Sequence, residues 1–207
     1  MKILWVEAIG TFFLVLVVGL TTIMPGAGAM APLAIGAILM VMVYAGAHIS
    51  GAHYNPAVTL AVWMRGRCSP QRIPAYMGAQ LAGAVLAAVV AGWLKRGTPI
   101  VALELHAGPA LLVELLFTFA LAYVVLNVAT SKQTAGNSYF GLAIGMTLMA
   151  AAYAGGRISG GAFNPAVAVG LTLMGASALG DLWIFLAANF AGGALAALAF
   201  RALHPDE

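Results

Sequence analysis

The chain has 207 residues, of which 63% are hydrophobic and 7% charged, and a mean hydropathy of +1.00. Soluble domains carry charge on about a quarter of their residues, so the composition excludes a soluble globular protein and indicates one compact integral membrane domain. The formal charge of +3 comes from scattered basic residues with no patch for nucleic acid, and the single cysteine, Cys68, excludes an intramolecular disulfide.

A helix needs about 20 apolar residues to cross a bilayer. Six segments qualify: 3–24, 32–49, 74–94, 110–130, 139–156 and 181–201. The first follows Lys2 and has the look of a secretory leader. Its length, its internal Glu7 and the recurrence of a similar segment further along identify it instead as a span of the mature protein. Between the second and third spans lies Ile49-Ser50-Gly51-Ala52-His53-Tyr54-Asn55-Pro56-Ala57-Val58. Between the fifth and sixth lies its counterpart, Ile158-Ser159-Gly160-Gly161-Ala162-Phe163-Asn164-Pro165-Ala166-Val167. Each Asn-Pro opens an apolar piece, 55–64 and 164–173, that is too short to cross. Irregular backbone at membrane depth survives only where it lines a cavity or is buried in protein, so both pieces are expected to be half-helices entering partway. Cys68 stands near Arg65 and Arg67; without a dedicated electropositive site it reads as an ordinary loop thiol.

The two motifs stand 109 residues apart (164 − 55), and the rest of the chain repeats with them. Val6-Glu7 with Thr11-Phe12 returns as Val113-Glu114 with Thr118-Phe119. Leu33-Ala34-Ile35-Gly36 returns as Leu142-Ala143-Ile144-Gly145, and Gln80-Leu81-Ala82-Gly83 as Asn189-Phe190-Ala191-Gly192. The repeats cover about 1–100 and 108–207 of a single domain. Each holds three spans, an odd number, so the second is inverted relative to the first, with a shared site near the midplane. Six basic residues (Lys2, Arg65, Arg67, Arg72, Lys132, Arg201) fall on the side of the termini and three (Lys95, Arg96, Arg157) on the other, which favours cytoplasmic termini. Small residues at four-residue spacing, Gly78 with Ala82 and Ala188 with Gly192, are expected to bring helices close in lipid.

Proline suits the first helical turn, where no backbone N–H is needed, and asparagine before it suits the cap. Two half-helices meeting at their N-termini aim their positive dipole ends at one spot. Such a spot disfavours cations and passes neutral hydroxyl compounds, to which an asparagine amide donates a hydrogen bond. The residues Asn55, Pro56, Ala57, Asn164, Pro165 and Ala166 are therefore the candidate pore motifs.

With these motifs in place the chain resembles the major intrinsic protein family, the aquaporins and aquaglyceroporins. The resemblance covers essentially the whole sequence, and the stretch from His48 to Thr59 is similar to the family's first motif. It implies an all-α membrane protein with six transmembrane helices and two re-entrant half-helices, one pore per subunit, assembled as a homotetramer. It also implies that Glu7 and Glu114 brace the re-entrant loops; an intramembrane carboxylate is costly and usually faces the interior. The family usually continues its second motif with arginine, where this chain has Val167. Carried over by distance from the motifs, the selectivity ring is Ile35, Ala152, Gly161 and Val167, without aromatic or charge. By side-chain size that ring is wide and apolar, suited to solutes larger than water such as glycerol, urea or neutral metalloid hydroxides. Loss of the arginine leaves the two dipoles with more of the cation rejection. Arg157 is expected at the outer mouth, where it either reaches over the ring or keeps its head in water. His48 belongs toward the inner mouth and His53 beside Asn55; each either lines the pore, gates it with pH, since histidine titrates near neutrality, or is a hydrogen-bonded loop residue.

The expected function is a passive channel for water and small uncharged solutes in the cell membrane. It would need no cofactor or metal, and its partners would be the bilayer and its solutes. An ion-coupled transporter is the main alternative, since it too uses inverted repeats and broken helices, but no carboxylate stands near either motif to hold a coupling ion. A membrane enzyme would need a nucleophile with a base, which is not visible, and a closed junction protein would pass nothing.

Overall fold

The computed structural model describes residues 1–207, all in helices and connecting turns. Six long helices, α1 (Lys2–Thr22), α2 (Ala31–Ser50), α4 (Ile73–Leu94), α5 (Ala107–Thr130), α6 (Phe140–Ser159) and α8 (Leu182–Leu203), surround two short ones, α3 (Pro56–Met64) and α7 (Pro165–Leu173). Of 148 backbone hydrogen bonds, 120 lie within helices, as a chain facing lipid requires, since hydrocarbon offers no alternative partner. Five of the long helices are apolar enough to cross a membrane by composition alone. The remaining one, α6, carries Thr147, Tyr153 and Arg157 and packs against α2 and α5. Large apolar side chains such as Trp5, Leu86, Val89, Trp93, Leu112 and Leu198 point outward, as a lipid-facing surface requires.

Both α2 and α6 end at a left-handed glycine, Gly51 and Gly160, whose N–H bonds the carbonyl four residues back. The chain then turns inward and restarts at Asn55 and Asn164, whose side-chain oxygens cap α3 and α7. The half-helices are nine residues each. At 1.5 Å per residue they span about 14 Å, roughly half of the hydrocarbon core.

Packing crosses between the repeats. Within each, α1 lies on α4 and α5 on α8, while α2 and α6 face one another. The half-helices sit on the opposite repeat: α3 packs against α8 and α5, and α7 against α4 and α1. Close approach needs small residues at the crossings. A Cβ on Gly36 would stand 2.7 Å from the Gly145 carbonyl oxygen, and one on Gly145 2.5 Å from that of Gly36. The repeat-related pair Gly83 and Gly192 does the same for α1–α4 and α5–α8, against the carbonyls of Ala8 and Leu115.

The expectation for Gly78 and Ala82 is corrected. Nothing lies within 4 Å of a Cβ built on Gly78, and Ala82 is exposed. The contact face of α4 is one residue further round, at Gly83, because the side chains that approach α1 are set by the direction of the helix face and not by spacing alone. Ala188 and Gly192 are buried as expected.

Candidate functional site

Two buried carboxylates shape the re-entrant loops. Glu7, with no solvent exposure, accepts from Ser50 Oγ (2.7 Å) and His53 N (3.0 Å) on one oxygen. Its other oxygen accepts from Tyr54 N (2.7 Å) and Gln80 Nε2 (2.8 Å). Glu114 repeats the set with Ser159 Oγ, Ala162 N, Phe163 N and Asn189 Nδ2 at 2.6–2.9 Å. Four donors meet the four lone pairs of each carboxylate, so no acceptor is left unmet in the buried site. They also hold a strained backbone. Ala52, Tyr54 and Phe163 all have positive φ, 52°, 50° and 47°, a conformation that costs of order 1–3 kcal/mol per residue and persists only when the surroundings over-determine it.

That conformation turns two carbonyls toward the partner repeat. Asn55 Nδ2 donates to Phe163 O at 2.9 Å and Asn164 Nδ2 donates to Tyr54 O at 2.9 Å. The amide oxygens meanwhile accept from Ala57 N and Ala166 N at the first turns of α3 and α7. The half-helices thus meet N-terminus to N-terminus, tied by a reciprocal exchange. One amide hydrogen of each asparagine is committed to it, and the other remains for a cavity that both asparagines border.

Three cavities stand in line. A mouth of about 830 Å³ on the side of the termini is bordered by His48, Arg67, Cys68, Arg72 and the 128–137 segment. A narrow midplane space of about 20 Å³, bordered by Asn55, Asn164 and apolar residues including Leu39, Val125, Ile144 and Leu148, continues from it through His53 and Val125. A third space of about 530 Å³ opens on the opposite face and shares Val18, Ile35 and Gly161 with the midplane one. The four ring positions gather at this second junction: Ile35 and Gly161 border both spaces, Val167 the midplane one and Ala152 the outer one. The midplane space is little more than a water needs.

His53 borders the midplane and the mouth together. Its Nδ1 lies 3.2 Å from Thr59 Oγ1, which also accepts from Gln80, and its ring packs against Tyr76 at 4.9 Å. Both roles foreseen for it, lining and hydrogen bonding, thus coexist. His48 is exposed at the same mouth, and Arg157 is exposed at the opposite one. Burial pushes the Cys68 thiol up, against the pull of Arg72, so it is not an activated thiolate.

Gln80 and Asn189, which complete the two carboxylate clusters, were placed by sequence reasoning only as repeat markers. A polar side chain inside an apolar span, recurring 109 residues later, was the available signal. Arg65 was also missed. It bridges to the Glu207 carboxylate at 2.5 Å and donates to the Thr130 carbonyl, joining α3 to the chain's last residues. That partner lies 142 residues away and carries no local signal.

Two half-helices tied tip to tip inside six spans, with a passage running past the tie, define a multi-pass membrane channel for water and small uncharged solutes, not an enzyme. Comparison with known proteins agrees. The family model described as major intrinsic protein matches residues 1–200. "Aquaporin NIP1-4" of Oryza sativa subsp. japonica is 39% identical over 210 residues, covering 97% of this chain and 76% of that protein. "Glycerol uptake facilitator protein-like 6" of Lactiplantibacillus plantarum is 33% identical over 211 residues, covering 97% of each. Some plant relatives are longer, and the match takes in as little as 54% of their length. The X-ray structure of the aquaglyceroporin from Plasmodium falciparum superposes with a TM-score of 0.83 at 23% identity, covering 99% of this chain and 97% of that one. The chain belongs to the major intrinsic protein family.

Proposed function

We propose that residues 1–207 form a single channel domain that passes water, glycerol and other small uncharged solutes such as urea or metalloid hydroxides down their gradients. The channel works as a homotetramer in the cell membrane with both termini cytoplasmic. The observation that carries the reading is the pair of asparagine amides, each with one hydrogen fixed across the repeat and one offered to the passage. A permeant oxygen accepts from both in turn, which replaces the hydration it loses, while the two half-helix dipoles oppose cations. No carboxylate borders the passage to bind a coupling ion, which weighs against the transporter reading.

The ring of Ile35, Ala152, Gly161 and Val167 shares the size limit with the midplane space, which three of the four also border. Gly161 adds no side chain and holds φ +69°, where another residue is strained. Beyond the ring, however, Leu39, Ile144 and Leu148 close the midplane to about one water. Glycerol therefore passes by turning these flexible side chains aside, whereas water does not need to. The similarity to a bacterial protein named glycerol uptake facilitator protein-like 6 supports the larger-solute reading.

Stopped-flow light scattering on vesicles carrying the purified protein tests it with water, glycerol, urea and arsenite. Val167→Arg is expected to lower glycerol flux severalfold and water flux less; equal glycerol flux in both proteins refutes the wide ring. Cross-linking in the bilayer that stops at two copies, or yields none, refutes the tetramer.

A further inference from the structure

The three cavities share an electrostatic property that the ring does not explain. No aspartate or glutamate borders any of them. Their charged residues are all basic: Arg67, Arg72 and Lys132 at the mouth beside the termini, and Arg157 at the opposite mouth. None of the four has an ion-pair partner, because the one salt bridge of the molecule joins Arg65 to Glu207. All four are exposed, so their charges are carried into water-filled space. Repeat symmetry does not place Arg67 and Arg72 there either, since their counterparts in the second repeat are Ala176 and Asp181; only Arg157 has a mouth residue, His48, as its counterpart. Membrane topology favours basic residues on one side. It does not require that they border the mouth, that acidic residues be missing from it, or that the far mouth also carry an arginine.

We propose that Arg67, Arg72, Lys132 and Arg157 are specificity-determining residues that exclude cations at the two mouths. They supply the barrier that an arginine at position 167 would otherwise place in the ring. The inference rests on the channel reading above. Charges of one sign in a concave, low-dielectric wall focus their field and change local ion concentrations by 10-fold or more. A neutral solute feels no such penalty, so charged mouths cost glycerol or water nothing. The barrier has a signature that separates it from the half-helix dipoles. Vestibule charges stand in water and are screened, over about 8 Å at 0.15 M salt and about 3 Å at 1 M. Dipoles at the narrow midplane are not reached by salt in this way.

The test uses the full chain in vesicles, with glycerol flux and sodium leak measured on the same preparation. The readout is the leak-to-glycerol ratio, which corrects for the amount of folded channel. Neutralising one mouth in the triple variant Arg67→Gln, Arg72→Gln, Lys132→Gln is expected to raise that ratio about tenfold at 0.1 M salt. Arg157→Gln is expected to raise it by a smaller factor. Lys132→Glu should exceed Lys132→Gln, and Lys132→Arg should match the unmodified protein. In 1 M salt the triple variant and the unmodified protein should converge. Ratios within twofold of the unmodified protein in both the triple variant and Arg157→Gln overturn the proposal. So does a rise that persists undiminished in 1 M salt. Absence of water and glycerol flux from the unmodified protein overturns the channel reading itself and this inference with it.

Discussion

Replacing Glu114 by glutamine removes one carboxylate oxygen and puts an NH2 group in its place. The carboxylate faces four donors: Ser159 Oγ (2.6 Å) and Ala162 N (2.9 Å) on Oε1, Phe163 N (2.7 Å) and Asn189 Nδ2 (2.8 Å) on Oε2. Whichever way the amide turns, its nitrogen confronts two of them. Ser159 and Asn189 can rotate; a backbone N–H cannot. One backbone N–H, of Ala162 or of Phe163, is therefore stranded in a site with no solvent exposure. A stranded buried donor costs about 1–3 kcal/mol, and the surviving bonds lose the strength that a charged acceptor lent them. The expected loss is about 3 kcal/mol, roughly a hundredfold in the folding equilibrium. Phe163, at φ 47°, then lacks part of what holds it, and its carbonyl drifts from Asn55. Denaturant titration of the purified protein in micelles should show the lost stability, and water flux per channel should fall with it. An unfolding free energy within about 0.5 kcal/mol of the unmodified protein, with unchanged flux, would refute the bracing argument, since the natural scatter for neutral surface changes is of that size.

Three further outcomes are expected. Asn164→Ala removes both the bond to Tyr54 O and the cap on α7; a cost of about 2 kcal/mol in the same titration is expected, and none at all would mean the exchange is dispensable. Gly83→Val drives a Cβ to 2.3 Å from the Ala8 carbonyl and should abolish a monodisperse protein on gel filtration, whereas Gly78→Val, pointing into open space, should not. The Ser131 hydroxyl, with Lys132 N and Arg65 adding to it, holds the Glu207 carboxyl below its usual 4.5. With a depressed value the tie is complete above pH 4.5 and weakens as pH falls through it. Amide protection in 131–139, taken relative to the intrinsic exchange rate at each pH, should therefore fall in acid, and Glu207→Gln should lower it at neutral pH; identical protection in both proteins would exclude the tie.

The spans were legible because lipid demands long uninterrupted apolar runs. The second, read as 32–49, is Ala31–Ser50, and the third, read as 74–94, is Ile73–Leu94. The fifth, read as 139–156, continues to Ser159, since Gly155, Gly156 and Arg157 break the apolar run without breaking the helix. The half-helices were legible from Asn-Pro and from the shortness of the apolar piece that each one opens. The reciprocal bonds between Asn55 and Phe163 and between Asn164 and Tyr54 were not, because they depend on left-handed backbone at non-glycine residues, which no local preference announces. The midplane closure was also hidden. Ring residues can be counted from the motifs, but Leu39, Ile144 and Leu148 enter the passage through the rotation of α2 and α6, which Gly36 and Gly145 set by contact.

The placement of α3 on α8 and of α7 on α4 makes each repeat finish the other. Neither half owns the floor its own short helix rests on, and each lends a carbonyl to its sibling's amide. The stretch between Leu94 and Ala107 adds one further tie, Leu103 N donating to Ala176 O, and lays Ile100 and Leu105 on the core. Two separately made polypeptides, severed within it and inserted in opposite orientations in the membrane, hold every surface needed to reassemble a conduit, while either one alone presents an unfinished cradle.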